Sequence, residues 1–215
     1  MLTDWEIRRE IVAFGKKVYE KGLVSATDGN ISVRVMSDRL MITPSGASLG
    51  NLNTEDLVYA DLTGQVLAGR GKPSSELPMH LEIYRRRPHV NAVIHAHPPF
   101  ATAFTVAGES LASPVLPEVV IMFGEIPVAP YGTPASEESA QSILNLIPDH
   151  DVIVLDHHGA VTLGKSLEDA FFKMEKLEHA ASTLLAAKQI GGINPLTPSA
   201  VEKLEKLRRE HGYGL

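Results

Sequence analysis

With 215 residues, 44% hydrophobic and 21% charged, the chain can bury the core of one domain, 1–215. Its 20 Lys+Arg against 26 Asp+Glu leave a net charge of −6, which disfavours nucleic acid as a partner. Cysteine is absent, so disulfides, thiolate ligands and thiol nucleophiles are excluded. No apolar run approaches the roughly 20 residues that span a bilayer, so no membrane role is expected. The first residues lack the basic-then-apolar start of a signal peptide, and a cytoplasmic location is expected.

Thr3 or Asp4 caps a predicted helix to Lys21, with Ile7, Ile11, Phe14 and Val18 on one stripe and Gly22 ending it. A small polar loop, 25–30, leads into an alternating run at 31–35. A second strand follows at 40–43, after a turn at Asp38 and Arg39. Residues 57–62 and 65–67 read as another hairpin around Thr63 and Gly64. Pro73, Ser74, Ser75 and Glu76 open a helix, with Ser75 as its cap and Leu77, Leu81 and Tyr84 as its apolar face. Arg85, Arg86 and Arg87 form its solvated end.

The central strand is 90–97, stopped by Pro98 and Pro99, and a helix follows over 101–107. Residues 119–123 and 126–129 are strand-like, separated by Gly124. Ser136 caps a helix to Ile147. A buried strand, 151–156, runs into His157, His158 and Gly159, and 160–164 continues it. Ser166 caps a long helix over 167–190, and 198–211 reads as a polar helix. Strands in hairpin pairs imply an α/β fold of the α+β type, a mainly antiparallel sheet packed with helices.

The chemistry centres on His95 and His97. Side chains two apart in an extended strand share a face, so two imidazoles stand side by side. Three imidazoles with one open position suit a catalytic divalent metal. His157 and His158 follow a distant strand, and because neighbours in a strand face opposite ways, at most one of them joins the pair. Ser74 and Ser75 with free helix-start amides make an anion site, and Glu76 beside them can serve as general base or metal ligand. Gly29, Asn30, Ser45 and Gly46 lie in small polar loops that can complete a phosphate cradle. No loop matches a P-loop or dinucleotide fingerprint. His80, one turn after Glu76, either orients it or packs between helix and sheet.

The run Gly22 to Arg34, then Ile42-Thr43-Pro44-Ser45-Gly46, Pro73-Ser74-Ser75-Glu76 with His80, His95-Ala96-His97 and His157-His158-Gly159 resembles the class II aldolase/adducin family over residues 5–190. The resemblance implies zinc, one per subunit, on His95, His97 and His158, with Glu76 as acid/base and as a further metal ligand in the empty enzyme. It implies a phosphate site of Gly29, Asn30, Ser45, Gly46, Ser74 and Ser75. It further implies a helix-flanked antiparallel fold and a homotetramer with active sites at subunit interfaces. Tyr213 stands where such aldolases carry the tyrosine that protonates the leaving aldehyde. Glu118 either matches the acidic catalytic residue of related dehydratases and epimerases or is a surface carboxylate. The implied activity is cleavage of a ketose 1-phosphate, of the L-fuculose 1-phosphate kind, to dihydroxyacetone phosphate and a small aldehyde. A pentulose-5-phosphate 4-epimerase, a methylthioribulose-1-phosphate dehydratase and a non-catalytic adducin-like module are the alternatives. Glu76 and the kept histidines weigh against them.

Overall fold

A computed structural model describes residues 3–212. Helix α1 (Asp4–Glu20) starts at a reciprocal cap, in which Thr3 Oγ1 accepts from the Glu6 amide and the Glu6 carboxylate accepts from Thr3 N–H. It buries the predicted stripe of Ile7, Ile11, Phe14 and Val18.

The eight strands described are β1 (Asn30–Met36), β2 (Arg39–Ile42), β3 (Val58–Asp61), β4 (Val66–Ala68), β5 (Ala92–Ala96), β6 (Val128–Ala129), β7 (Val152–Leu155) and β8 (Gly159–Gly164). They form one sheet in the order β4-β3-β2-β1-β5-β8-β7-β6. Only β6 and β7 run parallel; every other pairing is antiparallel, as the hairpin-rich sequence implies.

Strand alternation divides the core between two faces. Ile31, Val33, Ala92, Ile94 and Ala96 meet α1, α3 (Pro99–Val106), α4 (Pro117–Phe123) and α6 (Leu167–Ile190). Leu40, Ile42, Val93, Ile153 and Val161 meet α2 (Leu77–Arg86) and α5 (Glu137–Ser142) on the other face. Each Val, Leu or Ile among them, fully buried, contributes about 1.5–3 kcal/mol. Because Val93 faces α2, so does His95, two residues on. By the same parity Asn30 and Ser32 face α2 while Ile31 faces α1. This parity is what places polar residues of β1 and β5 beneath the start of one helix. No helix among the described residues is long and apolar enough to cross a membrane.

Several expected elements are corrected. Residues 119–123 are helical, not a strand. Pro117 sits in the first turn of α4, Val119, Val120 and Phe123 are buried, and Gly124 at φ 70° ends it. Helix α7 (Pro198–Glu210) packs on α4, and Arg208 donates to the Met122 and Ile121 carbonyls at its C-terminus. The strand expected at 126–129 shrinks to β6. Residues 160–164 do not continue the preceding strand; β8 turns back antiparallel on β7, through Asp156, His157 and His158. Helix α5 ends at Ser142 and turns fill the rest of the expected span. Glu76, not Ser75, occupies the N-cap position of α2, with no side-chain cap bond.

Candidate active site

The end of β5, the β7–β8 turn and the start of α2 meet at one point. His95 is fully buried, and its Nδ1 donates to the Ala160 carbonyl at 3.0 Å, because a carbonyl can only accept. Its Nε2 therefore carries the lone pair and faces His97 Nε2 at 3.1 Å and Glu76 Oε2 at 2.8 Å. His158 Nε2 lies 3.6 Å from Glu76 Oε1. The three rings stand 4.8–4.9 Å apart, and one nitrogen from each lies within 4.8 Å of the others.

His157 takes the turn's left-handed conformation, φ 55°, and its exposed ring bonds Asp156 at 2.8 Å. It is thus His158 that joins the cluster. Gly159 is required immediately after it. A Cβ there would collide with the Ala96 carbonyl and come within 2.8 Å of His97 Cδ2. Gly29 is constrained in the same way: φ is +74°, and a Cβ would meet Val24 Cγ1 at 2.6 Å and the His95 carbonyl at 2.8 Å.

The donor set fits a divalent metal. Three convergent imidazole nitrogens and a carboxylate suit zinc-type coordination. Glu76 Oε1 is buried with no hydrogen-bond partner, which a buried carboxylate oxygen rarely tolerates without a ligand. Burial opposes the charge on Glu76, but His95, His158 and Asn30 outweigh it and hold the carboxyl far below its ordinary range. Burial, with the charges of His95 and His158, pushes His97 down to about 3, and burial and His95 lower His158 also. For His97 and His158 this favours the neutral ring, the form that ligation needs.

Above the cluster lies a cleft of about 150 Å³. Its walls include Gly29, Asn30, Ser45, Gly46, Ser74, Ser75, Glu76, His97 and His158, so the predicted phosphate loops and the cluster share one cavity. Loops 43–46 and 72–75 are zipped together, Ser45 N–H donating to the Lys72 carbonyl and Ser74 N–H to that of Thr43, both at 3.0 Å. Ser74 Oγ accepts from the Glu76 amide at 3.3 Å, leaving its own proton to donate. Among the described residues no Lys or Arg lines the cleft, so an anion there would be held by amides and hydroxyls.

Asn30 has a different setting from the other loop residues. It is buried, its Nδ2 donates to Glu76 Oε2 at 3.0 Å, and its Oδ1 meets His80 Nε2 at 2.6 Å. Sequence reasoning missed Thr27, Asp28, Pro134 and Ala135 as cleft residues. Asp28, 3.7 Å from His97 Nδ1, was readable as the acidic neighbour of Gly29; nothing local marks Pro134. Glu118 is exposed on the first turn of α4 and is not among the cleft residues. Tyr213 lies outside the described residues.

The chain is similar to several known proteins. Residues 9–185 match the family model described as Class II Aldolase and Adducin N-terminal domain. An L-fuculose phosphate aldolase of Methanococcus vannielii is 40% identical over 174 residues, 80% of this chain and 92% of its own. A 5-deoxy-D-ribulose 1-phosphate aldolase of Bacillus thuringiensis serovar kurstaki is 35% identical over 96% of both chains. A 3-oxo-tetronate 4-phosphate decarboxylase of Escherichia coli is 31% identical over 96% of this chain and 97% of its own. A solved L-fuculose 1-phosphate aldolase superposes with a TM-score of 0.86 at 30% identity, covering 94% of this chain and 95% of the other. The chain belongs to the class II aldolase and adducin N-terminal domain family.

Proposed function

We propose that the protein is a zinc-dependent aldolase that cleaves a ketose 1-phosphate to dihydroxyacetone phosphate and a small aldehyde. The observation that carries this reading is the unpartnered Glu76 Oε1, set between three convergent imidazoles and a cleft ringed by hydroxyls and glycine loops. A zinc ion held by His95, His97 and His158, when bound, supplies Lewis-acid polarisation of the ketose oxygens. The phosphate is held by the loops of Gly29, Ser45, Gly46, Ser74 and Ser75, with Asn30 at their base.

In cleavage the C4 hydroxyl gives up its proton to the Glu76 carboxylate, the C3–C4 bond breaks and C4 becomes the aldehyde carbon. C3 keeps the electron pair and then takes a proton, which Glu76 Oε1 delivers. Tyr213 serves the aldehyde oxygen, with Glu118 as the other candidate. The working form is a homotetramer with sites at its interfaces, located in the cytoplasm.

The decarboxylase relative supports a second reading at the same site. Loss of carbon dioxide from a 3-oxo-tetronate 4-phosphate leaves the same three-carbon phosphate, again protonated at the carbon beside the ketone. Only the leaving fragment differs. The test is a panel of ketose 1-phosphates, including L-fuculose 1-phosphate and 5-deoxy-D-ribulose 1-phosphate, and 3-oxo-tetronate 4-phosphate. Each is assayed for dihydroxyacetone phosphate with and without added zinc. Release from the ketose phosphates with aldehyde formed in equal amount is expected; release from the oxo acid alone would overturn the aldolase reading.

A further inference from the structure

Behind Glu76 runs a line of buried polar groups, and beyond Asn30 the proposed reaction uses none of them. Glu76, His80 and Tyr84 are spaced i, i+4, i+8 and form one stripe on α2 and its N-cap. Opposite them, Asn30 and Ser32 are two apart on β1 and share a face. Four helical residues rise about 6 Å and two strand residues about 6.6 Å, so the two rows stay in step. The result is continuous. Tyr84 Oη lies 2.9 Å from Ser32 Oγ, Ser32 Oγ is 2.6 Å from His80 Nδ1, His80 Nε2 is 2.6 Å from Asn30 Oδ1, and Asn30 Nδ2 is 3.0 Å from Glu76 Oε2.

The direction of every bond follows from the last one. The Glu76 carboxylate only accepts, so the Asn30 amino group must face it and Oδ1 must face His80. Oδ1 also only accepts, so His80 carries its proton on Nε2 and its Nδ1 accepts from the Ser32 hydroxyl. Ser32 Oγ in turn accepts from Tyr84. Burial holds the His80 ring neutral, with a pKa pushed down to about 3, which keeps one nitrogen free to accept. All donors point towards Glu76.

We propose that His80 is the positioning residue of the acid/base: it locks the Asn30 amide so that Asn30 donates to Glu76 Oε2 and leaves Oε1 to exchange the substrate proton. A free amide could reverse and set Oδ1 against the carboxylate, turning Glu76 away from the substrate. This rests on the reading of Glu76 as acid/base.

The test uses the full-length protein with nitrogen-15 histidine, the His80 signals being assigned by their loss in His80→Gln. The imidazole shifts should give a neutral ring protonated on Nε2. In kinetics, His80→Leu should lower kcat for cleavage and the hydrogen exchange at C3 of dihydroxyacetone phosphate together, by about 10–100-fold. KM and bound metal should stay near wild type. His80→Gln, whose amide can still donate to Asn30, should recover most of the loss. Ser32→Ala, a milder change that keeps the test alive if His80→Leu does not fold, should lower kcat in the same pattern. A ring protonated on Nδ1, full kcat in the Leu variant, or Gln and Leu variants alike would overturn the proposal. A wild-type protein that neither cleaves nor exchanges would instead remove the role of Glu76, while the tautomer still decides the orientation of Asn30.

Discussion

The two oxygens of Glu76 live in different surroundings, and that difference sets what its replacement should do. Oε2 accepts from Asn30 and lies 2.8 Å from His95 Nε2, whereas Oε1 has no hydrogen-bond partner. Glu76→Gln keeps the shape but not the base, and turnover should fall about 10²–10⁴-fold with metal still bound by the histidines. C3 exchange at the wild-type rate in that variant would move the role elsewhere. The proposed metal ligands can be tested one against another: His158→Ala should lose bound zinc, and His157→Ala should keep it. Stoichiometric zinc in the first and none in the second would reverse that choice. The strand spacing of His95 and His97 made them legible as a pair. His158 was legible only as one of two, because the left-handed turn at His157 is a tertiary outcome. Ser75→Ala should raise KM by about 5–150-fold, the loss of one charge-assisted bond of about 1–3 kcal/mol, and leave metal content unchanged. Asn30→Ala should lower kcat as well, since its amide reaches Glu76. Equal KM in Ser75→Ala and wild type would remove that residue from the phosphate site.

Between elements, patterns with a clear period were readable and those that depend on a neighbour were not. The 3.6-residue stripe of α1 and the alternation of β1 and β5 are local, and they appear where expected. The run 119–123 is rich in β-branched residues and reads as strand by local preference alone. Its helix is decided by burial of Val119 and Phe123 and by Arg208 on its last carbonyls, a contact from 86 residues away. The polar stripe of α2 was likewise hidden, because nothing in the sequence says which residues of β1 lie beneath it. Asp151 ties three elements in a comparable way, accepting from Arg87 at the end of α2 at 2.7 Å and from Lys173 of α6 at 2.9 Å. Burial opposes its charge, but Lys173 and Arg87 outweigh this and hold the carboxyl below its ordinary 3.8. A depressed folded pKa contributes stability that is full above the unfolded value and lost as pH falls through the folded one. Acid should therefore weaken the fold below about pH 4 partly through this residue. Asp151→Asn should cost about 3 kcal/mol at pH 7 by leaving the buried Arg87 without a carboxylate partner and Lys173 with Asp169 alone, and should flatten the acid limb of the stability curve. Urea denaturation between pH 7 and pH 3 checks this, and parallel acid limbs in the two proteins would count against it.

At the scale of the whole molecule, the cleft of one chain is lined by Glu76, His97 and His158 but not by Glu118. Glu118 stands on the solvent side of α4, and α7, pinned to that helix by Arg208, leads directly towards Tyr213 in sequence. Large apolar side chains stay exposed on α3 and α6, among them Phe100, Val106, Phe172 and Ile190, which is the surface a symmetric assembly would cover. In the proposed homotetramer, Glu118 of one subunit would complete the cleft of the next. The assembly should run at about 93 kDa, four chains of 23.3 kDa. Glu118→Ala and Glu76→Gln should each be slow alone, and each keeps what the other lacks. If they are unfolded together and refolded as mixed tetramers, roughly a quarter of the interfaces, one half times one half, should pair an intact Glu76 with an intact Glu118. Turnover should rise to about that fraction of wild type, because each such interface is a complete site. Mixed tetramers no faster than the average of their parents would mean that Glu118 does not act across the interface. Full turnover in Glu118→Ala alone would make it a surface carboxylate and leave Tyr213 as the residue to test next, by the same mixing with Tyr213→Phe.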